Sequence, residues 1–490
     1  MLVLRHLPPL APPCPRLPPS LALSLAHCRM FSLSPCLNRN KAEIYSSHQR
    51  PTAVLDPEVR RQVEGGVRPR RPAAIVAPCP RWTRAIAKSL EAMAGVVERL
   101  PEYVAAGDRL ARHVRHRKPP LEGADLKARE RRVEERLVEE FGQMVEQEAR
   151  PVEVRRREAV LRKQHLHSWA PIEFDSTAAV AYLVTRAAGE FATLATVFAE
   201  IKQAMPDFQP RTLFDLGSGV TTGLWAFRAA FGEATEVFCV DPSKAMNDLS
   251  RAVEEQGGGQ VPGRLNFRLH NPSQVGLQYQ LVLASSTLME LGSARERLEA
   301  VHSLWRRVED GGVLVIVEGG TNAAFQLVVE ARDYLEQVST LARQGEVEAG
   351  EGHVVAPCPH DAPCPRFALD TVPCSFPVRW TNFALPGIDS AATRQGSFSY
   401  VAFRKGVREV EARPRLVEES VKTKGAMYCR LCTPEGRLQE VLCKKSRDPG
   451  LYEVAKRLAV GQQLPVTLQP WREGEGVGTP WMKRKRGEGE

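Results

Sequence analysis

Two groups of residues have types and spacings that could do chemistry, and the first is a glycine turn placed between acids. An apolar run ends in an acid that two glycines follow, which gives Asp215, Gly217, Ser218 and Gly219. Glycine permits a tight backbone turn, and a helix that begins after such a turn directs its N-terminus at a bound ligand. A second apolar run ends at Asp241, about 20 residues further on, where a carboxylate can accept hydrogen bonds from both ribose hydroxyls. The pattern therefore predicts a ligand that contains a nucleoside.

The spacing of the glycines favours S-adenosylmethionine over a dinucleotide. A dinucleotide fingerprint has three glycines, as Gly-x-Gly-x-x-Gly, whereas this turn reads acid-x-Gly-x-Gly-x-Thr221. That form resembles the class I methyltransferases, in which the leading acid end of the loop helps hold the methionine moiety. The resemblance implies that Asp241 binds the ribose and that Ala284 and Ser285, at the end of the fourth strand, line the same site. The alternative is a packing turn in an unrelated α/β domain.

The second group is a set of cysteines in the last third of the chain. Of 11 cysteines, six fall between residues 358 and 443, namely Cys358, Cys364, Cys374, Cys429, Cys432 and Cys443. Zinc usually takes pairs separated by two to four residues, and the first two intervals here hold five and nine residues. Soft thiolates on irregular backbone suit an iron–sulfur cluster. A metal site is favoured over free thiols, and the spacing leaves both iron–sulfur and zinc open.

No stretch of the sequence provides a recognisable catalytic apparatus. Residues 284–287 read Ala-Ser-Ser-Thr, whereas amino-nitrogen methylation usually uses Asn/Asp-Pro-Pro-aromatic at this position. The run from Asp361 to Cys364 imitates the nucleophile motif of RNA cytosine-5 methyltransferases, but it lies beyond the fifth predicted strand rather than at the fourth, so the match is interpreted as accidental. Glu290 and Glu318 could act as bases, and both are interpreted as structural. We therefore predict no catalytic residues.

Composition and charge bound the class of protein. The chain has 490 residues, 43% of them hydrophobic, with a formal charge of +9 and a pI near 9.0, which suits a polyanionic partner such as RNA. Residues 109–118 are strongly basic and could bind phosphates or form a solvated helix face. The first 42 residues contain no acid and several arginines, which indicates a mitochondrial transit peptide or a disordered leader. No run reaches the ~20 apolar residues of a membrane span, so we expect no membrane partner.

Alternating helices and apolar strands predict an α/β fold with a doubly wound sheet. The predicted strands cover residues 213–215, 237–240, 265–269, 279–284 and 313–318, with a late, edge-side antiparallel strand at 397–403. The predicted organisation is a leader at 1–42, a helical region at 80–205, a Rossmann-like domain at 206–405, a small β-rich domain at 406–470 and a disordered basic tail at 471–490. A Cys-rich metal-binding insertion occupies 352–376, and residues 433–436 should form the turn of a hairpin.

Several stretches together resemble the family of methyltransferase-like protein 17, which are mitochondrial small-ribosomal-subunit assembly factors. The resemblance covers about residues 80 to 470, and the stretches that carry it include DLGSGVTTGLWA (215–226), LASSTLMEL (283–291), APCPHDAPCP (356–365), PCSF (373–376) and CTPEG (432–436). It implies a four-cysteine [4Fe–4S] cluster on Cys358, Cys364, Cys374 and Cys432, with Cys429 as the rival for the fourth position. It also implies the mitochondrial matrix, a SAM-binding fold, and small-subunit rRNA and ribosomal proteins as partners, with no DNA.

Two departures from the family pattern affect the predicted sites. Gly319 and Gly320 stand where Glu-Pro-Gly is common, which loosens the wall of the ligand pocket, and the interval from Cys364 to Cys374 varies in length. The predicted function is an assembly platform that binds pre-small-subunit rRNA and supports mitochondrial translation, with S-adenosylmethionine as a structural or regulatory ligand. The alternative is an active SAM-dependent rRNA methyltransferase.

Overall fold

A mixed eight-stranded sheet forms the centre of the protein. The computed structural model describes residues 51–65, 75–145, 150–166, 169–257, 264–272, 276–369, 372–409 and 412–469. The strands of the sheet are β2 (Thr212–Leu216), β3 (Glu236–Val240), β4 (Arg264–Arg268), β5 (Tyr279–Ser285), β6 (Val308–Gly319), β7 (Gly352–Ala356), β8 (Phe376–Trp380) and β9 (Arg394–Lys405). Their order is β4-β3-β2-β5-β6-β9, and both β7 and β8 pair with the far side of β9.

The first five strands are parallel, and β9 runs antiparallel to them. Parallel pairs such as Phe214 with Val282 join β2 to β5, and an antiparallel ladder runs from the pair Val313–Arg404 to the pair Gly319–Phe398. The predicted strands and the antiparallel finish at 397–403 are thereby confirmed. The predicted edge-side position of this strand is wrong, because β7 and β8, which include parts of the Cys-rich segment, pair with the outer side of β9.

Each central strand is buried on both faces, because helices cover the sheet on both sides. Leu283 and Val315 face one hydrophobic core, whereas Val282 and Leu314 face the other. The helices that connect and cover the strands are α8 (Thr222–Phe231), α9 (Lys244–Gln256), α10 (Ala294–Arg306) and α11 (Asn322–Arg343). This alternation produces the crossovers of a doubly wound sheet.

Helices between residues 80 and 204 precede the sheet, and most of them pack into the first of these two cores. They are α2 (Pro80–Ala92), α3 (Leu100–Arg115), α4 (Gly123–Phe141), α5 (Val152–His165), α6 (Ser176–Thr185) and α7 (Ala187–Ala204). Trp82 of α2 stacks on Trp225 of α8 with ring centroids 5.8 Å apart, and it meets Phe383 edge-on at 4.8 Å. In contrast, α4 and α5 form a hairpin around a small core of their own, which contains Val133 and Leu161.

Glycine and proline break the long helices that apolar periodicity predicted. The predicted stretch at 85–117 is divided between α2 and α3: α2 ends at Ala92 because Met93 is extended, Gly95 follows with a φ of 68°, and a proline opens α3. The stretch at 121–167 is divided between α4 and α5 after Gly142, whose φ is 54°. A left-handed residue ends an α-helix because the backbone can no longer continue its hydrogen-bond pattern.

A second, smaller unit is built mainly from the C-terminal part of the chain. Its strands are β10 (Arg415–Leu416), β11 (Val421–Thr423), β12 (Ala426–Cys432) and β13 (Leu438–Lys444), and helix α13 (Pro449–Arg457) packs on them. The turn at 433–436 joins β12 to β13, as predicted. An N-terminal segment also joins this unit: β1 (Thr52–Leu55) pairs with β14 (Val466–Gln469), and α1 (Pro57–Glu64) follows β1.

Some predicted regions fall outside the structural description. The leader at 1–42 and the tail at 471–490 lie outside the described residues. Within the described ranges, no helix combines the length and the apolar character that crossing a bilayer requires.

The aromatic contacts of Trp82 lead to a first testable prediction. Replacing Trp82 with alanine removes a fully buried ring, so we expect a loss of about 3–5 kcal/mol in the free energy of unfolding. The matched control is Leu277→Ala, because Leu277 is 58% exposed and should cost less than about 0.5 kcal/mol. Urea unfolding of the full chain measures both, and equal midpoints for the two variants would contradict the packing described here.

Candidate functional site

The glycine turn lies where β2 leads into α8, at the carboxyl edge of the sheet. Gly217 has a φ of 71° and donates its backbone N–H to the Val240 carbonyl at 2.7 Å. A Cβ at this position would lie 2.2 Å from the Thr287 hydroxyl oxygen, so only glycine fits between the neighbouring loops. Gly219, with a φ of 51°, completes the turn. Ligands of open α/β sheets bind in the crevice at this edge, beside the point where the strand order reverses.

Asp241 follows β3 and ties the glycine turn to the next loop. Its Oδ2 accepts from the Gly219 N–H and its Oδ1 from the Ser243 N–H, both at 2.9 Å. Burial raises the pKa of this carboxyl, and the two backbone bonds oppose that rise. Each oxygen of an ionised carboxylate has a further acceptor site, so both oxygens can still accept from ligand hydroxyls.

Asp215 lies below the turn, at the end of β2, and it is only 2% exposed. Burial raises the pKa of its carboxyl well above the usual range, and the charges of Asp241 and Glu190 raise it further. Glu190 in turn pairs with Arg186 at 3.5 Å. Three acidic side chains with one nearby guanidinium make this end of the crevice suited to a cationic group.

The loop after β5 forms the other wall. Ala284 is buried, Ser285 is half-buried, and Ser286 has a φ of 55°. The buried Glu318 carboxylate on β6 accepts from the Leu288 N–H at 2.7 Å, and burial raises its pKa to about 8. Glu318 therefore holds this loop through the backbone, which agrees with its interpretation as structural.

A segment that sequence reasoning missed crosses the same edge, and we name residues 169–174 the strap. The Trp169 indole N–H donates to the Met289 carbonyl at 3.1 Å, and the Ile172 N–H donates to Glu290 at 3.1 Å. At the other end of the strap, the Ser243 hydroxyl donates to the Phe174 carbonyl at 2.7 Å. Because β2 lies between β3 and β5, the strap passes over the glycine turn.

Arg117 holds the strap in place. It is buried, forms an ion pair with Glu290, and donates to the Ala170 carbonyl. Its guanidinium also lies 5.4 Å from the centre of the Trp169 ring. Glu290 is thus fully engaged in structure, as expected. No local sequence pattern indicates this contact, because its partners are more than 50 residues apart.

The predicted cysteine ligands come from four places in the chain. Cys358 follows β7, Cys364 precedes the short helix α12 (Pro365–Leu369), Cys374 precedes β8, and Cys432 ends β12. Cys374 packs against two apolar clusters, one containing Cys364 and the other containing Cys432. The structure therefore brings the loop and the hairpin of the smaller unit together.

The pKa values of the cysteine thiols agree with this proximity of the loop and the hairpin. Burial raises the pKa of the Cys374 thiol to about 12, and the charge of Cys358 adds to the rise. Burial also raises the pKa values of Cys364 and Cys432, and the other thiols of the set again contribute. Within the described residues, however, no three His, Cys, Asp or Glu side chains are arranged as they would be around a single metal ion.

The rival Cys429 faces the opposite side of β12. It lies three residues from Cys432 on the same strand, and successive strand residues alternate between faces. Cys429 is buried in the core of the smaller unit, where it contacts Ser420 at 3.3 Å and shares a hydrogen bond with Cys443. Cys432 instead lies 3.2 Å from His360 of the cysteine loop. Of the two cysteines, Cys432 is therefore the one that contacts the cysteine loop.

Three buried arginines surround the cysteine loop, and sequence reasoning missed them as well. Arg332 on α11 donates to the His360 and Ala362 carbonyls at 3.1 and 2.6 Å. Its pKa is raised despite burial, because Cys358, Asp333 and Cys364 favour its charged form. Arg366 donates to the Val417 carbonyl at 2.8 Å, and Arg415 pairs with Glu200 at 2.9 Å.

The motif from Asp361 to Cys364 lies far from the glycine turn in the sheet order. Asp361 accepts from the Val354 N–H at 2.9 Å and pairs with Arg408 at 2.7 Å, so it fixes the loop after β7. Strands β6 and β9 separate β7 from β5. The motif is therefore remote from the crevice, as its position in the sequence predicted.

Two cavities lie away from these residues. One of about 390 Å³, lined in part by Leu277, Arg306 and Lys405, opens at the amino edge of the sheet. Another of about 180 Å³ lies between α7 and the smaller unit, beside Glu200 and Arg457. Neither is lined by a predicted site residue.

Comparisons with known proteins show what the chain is similar to. The family model described as mitochondrial small ribosomal subunit Rsm22 matches residues 176–465. A human relative, ribosome assembly protein METTL17, mitochondrial, is 32% identical over 357 residues, which cover 71% of this chain and 75% of the relative. The mitochondrial Rsm22-cox11 tandem proteins 1 and 2 of Schizosaccharomyces pombe are each 26% identical over 61% of this chain and 45% of their own length.

Solved structures with some likeness are methyltransferases. An O-methyltransferase family protein from Burkholderia thailandensis has a TM-score of 0.26 and 21% identity over 37% of this chain and 54% of its own. Magnesium protoporphyrin IX methyltransferase from Synechocystis PCC 6803, with bound SAH, has a TM-score of 0.29 and 12% identity. The match covers 51% of this chain and 94% of the methyltransferase.

The sequence relatives decide the family and the compartment. The family model covers more than half of the chain, and the human and fission-yeast relatives are named as mitochondrial proteins. The predicted mitochondrial location is confirmed by them. The chain belongs to the mitochondrial small ribosomal subunit Rsm22 family.

Proposed function

We propose that this protein is an assembly factor of the mitochondrial small ribosomal subunit that acts as a binding platform. The observation that carries the proposal is the convergence of the cysteine loop and the β12–β13 hairpin at one buried place. The name of the human relative, a mitochondrial ribosome assembly protein, and the family description support the same role. The net charge of +9 suits docking on rRNA, with phosphate contacts dominating affinity.

The cysteine set fits a [4Fe–4S] cluster, held by Cys358, Cys364, Cys374 and Cys432. The four soft thiol donors lie on the loop and the hairpin that pack together, and the buried Arg332 has its charged form favoured by two of them, so its charge would help balance an anionic cluster. Soft thiolates on irregular backbone suit such a cluster, and the intervals of five and nine residues between the first three cysteines are longer than those that zinc usually takes.

The cluster would supply a cross-link between two parts of the chain. If four protein thiolates held the cluster, no iron would be open to a substrate, and the binding free energy would become folding free energy. The chain's own residues already prepare the contact: Arg366 reaches from α12 to the Val417 carbonyl at 2.8 Å and to Glu418 at 3.2 Å. Loss of the cluster should therefore loosen the smaller unit.

S-adenosylmethionine would bind at the carboxyl edge, along Asp215, Gly217, Ser218, Gly219, Asp241, Ala284 and Ser285. The residues fit this ligand in two respects. Asp241 retains acceptor sites that suit ribose hydroxyls, and the acidic group of Asp215, Asp241 and Glu190 suits the positive charges of the methionine moiety. The strap above the glycine turn would cover the ligand.

The platform role accounts for the residues around the donor site better than catalysis does. Glu318 accepts from the Leu288 N–H, and Glu290 forms an ion pair with Arg117. The Thr287 hydroxyl lies 2.9 and 3.1 Å from the Leu216 and Ser285 carbonyls. These groups stabilise the loops of the crevice. An active rRNA methyltransferase remains the alternative, and methylation mapping of the small-subunit rRNA distinguishes it.

Iron content tests the cluster directly. Cys364→Ser should lose most of the iron and acid-labile sulfide, about four of each per chain in the wild type, because one ligand is removed. Cys79→Ser should retain both, since Cys79 precedes α2, well before the cysteine loop. Cys429→Ala should also retain them, as this thiol faces away. Full iron in Cys364→Ser, or loss in Cys429→Ala, would contradict the ligand set.

Titration calorimetry tests the nucleoside site. Asp241→Ala removes the acceptor of the Gly219 N–H and of the ribose, so we expect at least about tenfold weaker binding of S-adenosylmethionine, or roughly 1.4 kcal/mol. Asp248→Ala serves as the control, because Asp248 lies on the exposed face of α9 and pairs with Arg251. Equal affinity in the two variants would remove Asp241 from the site.

Complementation of cells that lack the endogenous protein tests the function. Wild type and Asp241→Ala should restore small-subunit assembly and mitochondrial translation, whereas Cys364→Ser should not, because docking depends on the cross-linked fold. Steady-state protein levels are measured in parallel. If a stably expressed Asp241→Ala failed and a methyl group were missing from the small-subunit rRNA, the methyltransferase alternative would replace the platform.

A further inference from the structure

The second half of α3 carries a basic surface that no contact of the described chain neutralises. Arg109, Arg112, His113 and His116 are all exposed, and their spacing of three, four and seven residues places them on one face of the helix. We name these four residues the α3 stripe. No ion pair is found for any of them among the described residues, and no acid occurs from residue 109 to residue 118.

This surface differs from an ordinary solvated helix face. On the neighbouring α4–α5 hairpin, cations are matched by acids: Arg157 pairs with Glu140 at 2.6 Å, and Arg150 pairs with Glu134 at 2.7 Å. A helix face that is only solvated does not need an excess of positive charge, and like charges one turn apart destabilise a helix. The uncompensated stripe therefore indicates an external partner with negative charge.

The stripe is held rigidly. The opposite side of α3 packs on α6 so closely that a Cβ at Gly107 would lie 2.2 Å from the Thr185 hydroxyl oxygen. Beyond the last turn, Arg117 is buried and pairs with Glu290. A fixed helix loses little conformational entropy on binding, which favours docking.

The length of the stripe suits a nucleic-acid backbone. Seven residues of helix span about 10 Å, which corresponds to roughly three phosphates along one strand. The stripe ends one residue before Arg117, which anchors the strap, so a strand bound there would pass beside the mouth of the crevice.

We propose that the α3 stripe is a docking surface for the phosphate backbone of RNA. The inference rests on the proposed function, because an assembly factor of the small subunit meets rRNA. Recognition is electrostatic and independent of sequence, since exposed arginine and histidine side chains on one helix face contact phosphates rather than base edges. The exposed Lys118, two residues beyond the stripe, extends the positive charge.

The salt dependence of RNA binding tests this surface. The probe is a fluorescent transcript of the mitochondrial small-subunit rRNA, with the full-length holoprotein. Arg109→Gln with Arg112→Gln removes two phosphate contacts, so the slope of log K against log salt should fall by about 1.4 to 1.8, and affinity at 0.1 M salt by about 25- to 60-fold. The loss should be similar for transcripts of unrelated sequence.

The matched control removes the same charge elsewhere. Arg162→Gln with Arg295→Gln eliminates two exposed arginines that are paired with Glu158 and Glu299, and it should change affinity less than about threefold. Equal losses in both double variants would reduce the effect to net charge and overturn the proposal. Circular dichroism confirms that both variants are folded.

Sedimentation with the small subunit separates this inference from the proposed function. If the wild type binds neither the transcript nor the small subunit, the proposed function fails. If the wild type binds both and the α3 variant binds both equally well, only the stripe is wrong. If the α3 variant loses the subunit but binds naked RNA like the wild type, the stripe contacts a ribosomal protein, and the RNA assignment is overturned.

Discussion

The pairing of β9 with β6 is the interaction on which both halves of the protein depend. Seven residue pairs join these strands, and residues 398–403 of β9 are buried. On its other side, β9 pairs with β7 and β8, and the segment that connects these two strands contains three of the four predicted ligands. The glycine turn and the cysteine loop therefore belong to one continuous sheet, and a displacement of β9 would shift both.

The buried charges at the glycine turn and at the cysteine loop are of opposite sign. At the carboxyl edge of the sheet, acidic side chains lie together, and burial raises the pKa values of Asp215 and Asp241. Around the cysteine loop, buried arginines reach backbone carbonyls and acids on neighbouring elements. The first arrangement suits a ligand that brings positive charge, and the second suits a group that brings negative charge.

Much of the sheet could be predicted from the sequence, because its central strands are continuous apolar runs and their burial is local information. The spacing of the glycines and the position of Asp241 likewise predicted which loops meet. Contacts between distant segments could not be predicted. The strap depends on the hydrogen bond between Trp169 and Met289. In the sequence, Arg332 looks like any charged residue of a helix. Residues 52–55 are too short a run to indicate that they pair with a strand in the last part of the chain.

The pairing of β1 with β14 has a consequence for the order in which the protein can fold. The two strands are more than 400 positions apart in the chain, and Leu55 belongs to the same core as Cys429 and Leu431 on β12. During synthesis from the N-terminus, β1 is made first and cannot form this pair until β14 has also been made. The core that surrounds β12 is therefore complete only when Leu464 and Val466 are available, and Cys432 lies at the end of the strand that this core holds.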